Sequence, residues 1–305
     1  AIWLSFALAF DVLLLVNGDI LHQVLSADQL QQITKLYGQT IPSYVQDFGT
    51  SLQYYRQNLA LEFITGYVVE YALSVDNIFV MVLIFSAFSV EEKYYHRVLF
   101  WGIIGALCLR FLFIFTGAVL LAKFSWVMYV FGAFLIYTGA AMFFGRNEDE
   151  SLDPENHKVV KFAAKYFPVA TEYEGGKFII KQAGKWFITP LFIVLLVVEF
   201  TDLLFAVDSI PAIFSVTKDP YIVFFSNIFA ILGLRSMFFL LVNIIHKFQY
   251  LKIGLSILLV FIGFKMLAHH YLVQVGFNTL HSLVVILLIL SASIIASLLF
   301  PKKEN

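Results

Sequence analysis

Gly66-Tyr-Val-Val-Glu-Tyr-Ala-Leu-Ser-Val-Asp-Asn77 places Glu70, Asp76 and Asn77 in the middle of a long apolar run, residues 61–88. A related stretch, Val198-Glu-Phe-Thr-Asp-Leu-Leu-Phe-Ala-Val-Asp-Ser-Ile-Pro211, lies inside a second apolar run, residues 189–214. Carboxylates at membrane depth are costly, so each is read first as part of a functional site. Two such runs in one chain point to a pathway through a two-fold repeated membrane protein.

Composition agrees. Of 305 residues, 60% are hydrophobic and 13% charged, against about 45–50% and 25% in soluble domains. The net charge of −1 gives no footprint for nucleic acid. Cys108 has no second cysteine in the sequence to pair with, and no Cys/His zinc spacing occurs. The first residues lack a basic segment and a small-residue cleavage site, so no secretory signal is read. The sequence opens within an apolar run without Met, so a truncated or processed N-terminus is expected.

A spanning helix needs about 20 mostly apolar residues. About eight are expected, at 1–20, 60–88, 97–121, 126–144, 189–214, 221–246, 250–268 and 277–299. The fold class is therefore an all-α polytopic membrane helix bundle. Residues 1–59 form the first helix and an external polar loop, which contains at most one amphipathic turn. Residues 60–144 form a first three-helix unit, 145–188 a charged solvated loop, and 189–268 a second three-helix unit. The last helix and tail occupy 269–305. Basic residues are held on the cytoplasmic side. Lys93, Arg97, the lysines of 145–188, Lys247, Lys252, Lys302 and Lys303 collect on one side; Lys35, Arg56, Lys123, Lys218 and Lys265 lie on the other. The central loop and C-terminus are thus expected in the cytoplasm.

The two units repeat. Glu70 to Asn77 aligns with Asp202 to Ser209, and Phe100 to Arg110 aligns without gaps with Phe225 to Arg235. Phe124, Leu135, Gly139 and Met142 match Phe248, Leu259, Gly263 and Met266, also without gaps. Three spans per unit is odd, so the units run with opposite topology. Inverted repeats are common in secondary transporters, which bind substrate near the midplane at the repeat interface.

On a regular helix Glu70, Ser74 and Asn77 share a face, as do Asp202, Ala206 and Ser209, with Glu199 one turn before Asp202. Asp76 and Asp208 point about 120° away from their partners. A local break would let both carboxylates of a run aim at one point, and Pro211 is expected to supply it by leaving the Val207 carbonyl unbonded. Carboxylates, the Asn77 amide, the Ser209 hydroxyl and a carbonyl form an all-oxygen set, which suits Mg²⁺, Ca²⁺ or Mn²⁺. The helix interiors hold five acids (Glu70, Asp76, Glu199, Asp202 and Asp208) against two cations, Arg110 and Arg235, read as structural counter-ions. The excess acids must take up protons or bind a cation. Glu62 is read as a solvated boundary residue, and His269, His270 and His281 as hydrated interfacial side chains. Gly132, Gly139, Gly254 and Gly263 are expected to allow close helix approach.

At these residues the sequence resembles the TerC family, in its Alx-like branch. The resemblance is carried by Phe63-Ile-Thr-Gly-Tyr67, Glu70, Leu73-Ser-Val-Asp-Asn77, Arg97-Val-Leu-Phe-Trp-Gly102, Arg110, Thr189-Pro190, Glu199, Asp202, Phe205-Ala-Val-Asp-Ser-Ile-Pro-Ala-Ile-Phe214, Ser226 to Arg235 and Gly263-Phe-Lys-Met266. It covers nearly everything from residue 60 on. Tyr71 stands where the branch often has Lys. The resemblance implies a bacterial inner-membrane protein of metal homeostasis, with Mn²⁺ export as its activity and tellurite resistance as a historical label. It places the polar transport residues at Glu70, Asp76, Asn77, Glu199, Asp202, Asp208 and Ser209. It also implies a further helix before the first one here.

Three classes of function follow. A non-enzymatic exporter of Mn²⁺, working against protons and with no resident cofactor, accounts for the repeat, the acids and the oxygen ligands. A membrane-insertion or assembly factor is the alternative, since chloroplast members of the family are associated with that role. An intramembrane enzyme is weakest, because neither a His-Glu-x-x-His nor a Gly-x-Ser-x-Gly motif occurs.

Overall fold

The computed structural model describes residues 2–39, 41–42, 45, 47–124, 126–144, 158–170, 173–182, 184–242 and 250–299. Each of the eight apolar runs is a helix: α1 (Ile2–Asn17), α3 (Phe48–Ala87), α4 (Glu92–Lys123), α5 (Val127–Phe144), α7 (Pro190–Phe214), α8 (Pro220–Leu241), α9 (Leu251–Leu267) and α11 (Thr279–Leu299). Among the described residues, six helical stretches are long and apolar enough to cross a membrane: α1 with the 3₁₀ turn after it, α4, α5, α7, α8 and α11. The chain is an integral membrane helical bundle.

Local chemistry sets the helix starts. Asp47 caps α3, its carboxylate accepting from the Thr50 N–H at 2.9 Å and the Thr50 hydroxyl at 3.1 Å. Thr189 and Asp219 cap α7 and α8, each followed by a proline that needs no helical N–H partner. With its early cap, α3 begins 12 residues before the expected position and runs 40 residues, about 60 Å at 1.5 Å per residue.

Three expectations need correction. The polar connection after α1 carries a complete helix, α2 (Ala27–Tyr37), not a single turn. Ser26 caps its start, Gly38 in the left-handed conformation closes it, and Leu30 and Thr34 bury one side. The central charged segment is not simply a solvated loop. It holds α6 (Lys158–Tyr166) and an antiparallel hairpin, β1 (Ile179–Gln182) and β2 (Lys185–Ile188), in the register Ile179↔Ile188 to Gln182↔Lys185. The bundle itself is helical, as expected, and the hairpin belongs to the segment between its two halves. Finally, Pro211 does not break α7, which continues to Phe214. One missing N–H bond is outweighed by the burial of Ile210 to Phe214, all five in the core, and the end is closed by Ser215 N–H to Pro211 O at 3.0 Å.

In the bundle α3 packs along α8, α4 along α7, and α5 against α9; α1 lies on α3 and α8, and α11 on α9 and α3. The α5–α9 crossing is close enough for backbones to touch. A Cβ on Gly263 would stand 2.5 Å from the Gly132 carbonyl oxygen, and one on Gly139 would stand 2.7 Å from the Ser256 carbonyl oxygen. In the register that matches Gly139 to Gly263, Gly132 matches Ser256. The two contacts are therefore each other's equivalents under exchange of the repeats. The same exchange turns the α3–α8 pair into α7–α4.

Candidate ion site

Arg110 of α4 lies at the centre of the bundle, 1% exposed. Its guanidinium forks onto Asp202 of α7, Nη2 to Oδ1 at 3.0 Å and Nε to Oδ2 at 3.2 Å. Nη1 donates to Oε1 of Glu70 on α3 and reaches Ser209 Oγ at 3.4 Å. Glu70, Asp202 and Ser209 are buried, so these pairs form where water competes little. The planar fork of arginine suits two carboxylates at once in a way a lysine ammonium does not. One cation between two carboxylates still leaves one negative charge when both are ionised.

The helical periodicity of α3 then adds a row of oxygens. Glu70, Ser74 and Asn77 fall on one face, and all three are buried. Glu70 Oε2, Ser74 Oγ and Asn77 Oδ1 have no hydrogen-bond partner among the described residues. Buried polar atoms are nearly always paired in folded proteins, and these three lie in succession on one helix face with spare acceptor capacity among the described residues. A cavity of about 10 Å³, roughly one water in size, adjoins Asp202 and is walled by Met81, Leu99, Gly102, Val198, Ile231 and Leu234 among others. Glu199, one turn before Asp202, is half-buried and its Oε2 also lacks a hydrogen bond among the described residues. Its carboxyl fills the space beside Gly105 that a Cβ there would occupy.

Of the residues expected to form the site, the structure brings Glu70, Asp202, Ser209 and Arg110 into contact and places Ser74 and Asn77 on the same α3 face. Asp208 is partly buried on a regular stretch of α7 and so projects about 120° from Asp202. The side chains of Asp76 and Arg235 lie outside the described residues. Among the described residues no three His, Cys, Asp or Glu side chains stand close enough to hold a metal jointly; Arg110 takes up both Glu70 and Asp202.

A second polar cluster was not foreseen. Glu62 is not a solvated boundary residue: it is 7% exposed and accepts from Thr217 Oγ1 at 2.6 Å and Gln39 Nε2 at 3.1 Å. The sequence signal was present, since Glu62, Gly66, Glu70 and Ser74 recur every four residues along one face. Nearby, His22 Nε2 lies 3.2 Å from the buried Asp219 carboxylate and Nδ1 lies 2.7 Å from the Tyr55 hydroxyl. Gly105 was missed as well; only the proximity of a glycine to Arg110 in α4 hinted at it. His270 and His281 make local contacts with Gln274 and Asn278, not with each other.

Comparison with known proteins gives this arrangement a lineage. An uncharacterized membrane protein of Myxococcus xanthus is 52% identical over 239 residues, covering 78% of this chain and 73% of its own. An uncharacterized membrane protein of Rickettsia felis is 44% identical over 79% of this chain and 78% of its own. Alx of Escherichia coli K12, whose name describes it as a candidate membrane-bound redox modulator, is 42% identical over 76% of this chain and 73% of its own. No solved structure matches the chain. The model of the TerC family of integral membrane proteins matches residues 55–305, all of the buried site included, and by that match and these relatives the chain belongs to the TerC family.

Proposed function

We propose that the protein is a carrier, not an enzyme, that exports divalent metal ions, Mn²⁺ above all, across the bacterial inner membrane. The cargo passes through the carboxylates between α3 and α7. The observation that carries this reading is the row of buried oxygens, Glu70 Oε2, Ser74 Oγ and Asn77 Oδ1, that have no hydrogen-bond partner among the described residues, beside an arginine that only partly neutralises its two acids. Hard divalent ions take oxygen ligands of this kind. The choice of Mn²⁺ among them rests on the family resemblance.

In this reading Arg110 holds Glu70 and Asp202 when no cargo is present. An arriving ion meets the free Glu70 oxygen and the Asn77 amide first, then competes with Arg110 for the carboxylates. Protons compete for the same oxygens, which couples metal release to proton uptake. The equivalent contacts Gly132–Gly263 and Gly139–Ser256 at the α5–α9 crossing support two inverted units able to rock about that seam. The excess of lysine in the segment between the units supports its cytoplasmic placement. The redox label of the Alx relatives fits the same reading, since manganese is itself a redox-active ion; Cys108 offers no second thiol in this sequence for disulfide chemistry.

Calorimetric titration of Mn²⁺ into the purified protein tests the site. Binding is expected at neutral pH, weaker near pH 5, and lost in Glu70→Gln. Equal affinity in Glu70→Gln, or affinity independent of pH, would refute a shared carboxylate site.

A further inference from the structure

The helix and hairpin between the two units carry charge and aromatic rings in a combination the ion pathway does not use. Residues 158–188 hold six lysines against two glutamates, a net +4. Their apolar side chains divide sharply. Ala163 and Ile188 are buried, and Val159, Val160 and Val169 pack beside them against Phe85 of α3 and Leu191 and Val194 of α7. Phe162, Tyr166, Phe167, Ile179 and Trp186 are instead half to two-thirds exposed.

Phe162 and Tyr166 lie one turn apart on α6 in a tilted ring contact, centroids 4.9 Å from each other. Tyr173 donates to the Phe88 carbonyl at 2.7 Å, and the Arg97 guanidinium covers the Phe178 ring at 5.3 Å. These contacts tie the segment to the ends of α3 and α4. Trp186 stands four residues before Pro190, the first residue of α7, a helix long and apolar enough to cross a membrane. Lysine ammonium groups lie next to these rings: Lys165 is 5.7 Å from the Tyr166 centroid, and Lys181, paired across the hairpin with Trp186, is 5.6 Å from its ring.

Aromatic rings flanked by lysines at the end of a spanning helix match the chemistry of the headgroup region, apolar on one side and anionic on the other. Bulk water would solvate the lysines but not the rings, and an apolar protein partner would cover the rings but strand the net charge. We infer that α6 and the β1–β2 hairpin form an interfacial foot that docks on anionic lipid headgroups of the leaflet in which α7 begins. The occupant is fixed by charge complementarity and by direct continuity with α7. The inference rests on the membrane architecture alone and not on the transport reading. Each lysine near the surface strengthens binding of the segment to an anionic membrane by roughly five-fold.

The test uses this 305-residue chain with Trp3, Trp101 and Trp126 changed to Phe, which leaves Trp186 as its one tryptophan. It is reconstituted into vesicles containing equal fractions of phosphatidylglycerol and phosphatidylcholine, with bromine on one lipid or the other. Trp186 fluorescence is expected to be quenched more by brominated phosphatidylglycerol than by brominated phosphatidylcholine. Lys181→Glu with Lys185→Glu should erase the difference. Equal quenching by both lipids in the parent protein, or free access of aqueous iodide to Trp186, would overturn the inference. Shielding from bromine and iodide alike would also overturn it, because a protein would then cover the surface. A second readout needs no tryptophan variant: protein with Lys165, Lys181 and Lys185 changed to Ala should co-purify with less phosphatidylglycerol than wild type, and equal retention would contradict the proposal.

Discussion

Replacing Arg110 by Met removes the only cation bonded to Glu70 and Asp202 among the described residues while keeping a side chain of similar length. Both carboxylates are buried, 0% and 5% exposed, and the three bonds from Arg110 to them disappear together. Leaving a buried charge without its partner costs about 3–5 kcal/mol. With two acids stranded the upper part of that range applies, unless one of them takes a proton. For a chain of this size the loss corresponds to a fall in melting temperature on the order of 10 °C. Thermal unfolding of the detergent-solubilised protein measures it. The companion variant removes all three charges at once, with Glu70→Gln and Asp202→Asn added to Arg110→Met. Buried ion pairs exchanged for uncharged groups are often neutral, so this triple variant should melt close to wild type, and on the proposed reading it should lose any Mn²⁺ binding. If the single variant melts with wild type, or the triple melts below the single, Arg110 is not the counter-ion that holds α3 to α7.

Further expectations concern packing and polar detail. Gly263→Ala puts a methyl group 2.5 Å from the Gly132 oxygen and 2.8 Å from Ile136, forcing α5 and α9 apart; a loss of roughly 1–3 kcal/mol is expected, read as a lower melting temperature, and an unchanged value would contradict the close crossing. Gly105→Ala displaces the Glu199 carboxyl, which can swing away, so Mn²⁺ affinity should fall as in Glu199→Gln with little change in melting; unaltered affinity would remove Glu199 from the site. The Asp47 carboxyl is held below the usual carboxylate range by the Thr50 backbone N–H first and the Thr50 hydroxyl second. Its capping of α3 is therefore complete above the ordinary value of about 3.9 and is lost as pH falls through the lower folded value. Hydrogen exchange at the Thr50 amide, corrected for intrinsic rate, should show protection fading on that acidification in wild type but not in Asp47→Asn, and equal pH dependence in both would refute the cap.

Much of the fold is legible in the sequence because membrane helices announce themselves by length and apolarity. The apolar runs at 97–121 and 189–214 became α4 and α7 within a few residues. The start of α3 was less visible, because the cap at Asp47 lies within a polar stretch where hydropathy carries no signal. The helix and hairpin after α5 were hidden for a similar reason: Ala163, Val169 and Ile188 bury themselves on the bundle end one at a time among lysines. Pro211 misled because a local rule about one N–H bond was set against tertiary burial, and burial won. In the site, the shared face of Glu70 and Asn77 followed from helical spacing alone. That Arg110 would sit between Glu70 and Asp202 did not, since the bond joins residues 40 and 92 positions apart. Glu62 was misplaced because its partners, Thr217 and Gln39, come from two loops that periodicity does not reach.

Mn²⁺ flux into proteoliposomes tests the central claim most directly, with wild type measured beside Asp76→Asn and Asp208→Asn, each with and without a pH gradient. The two aspartates align when residues 70–77 are set against residues 202–209. A metal carrier built on buried carboxylates predicts flux in wild type that responds to the gradient and is abolished by either substitution while each variant still inserts and folds. Normal flux in both variants, or no wild-type flux from folded protein, would contradict it.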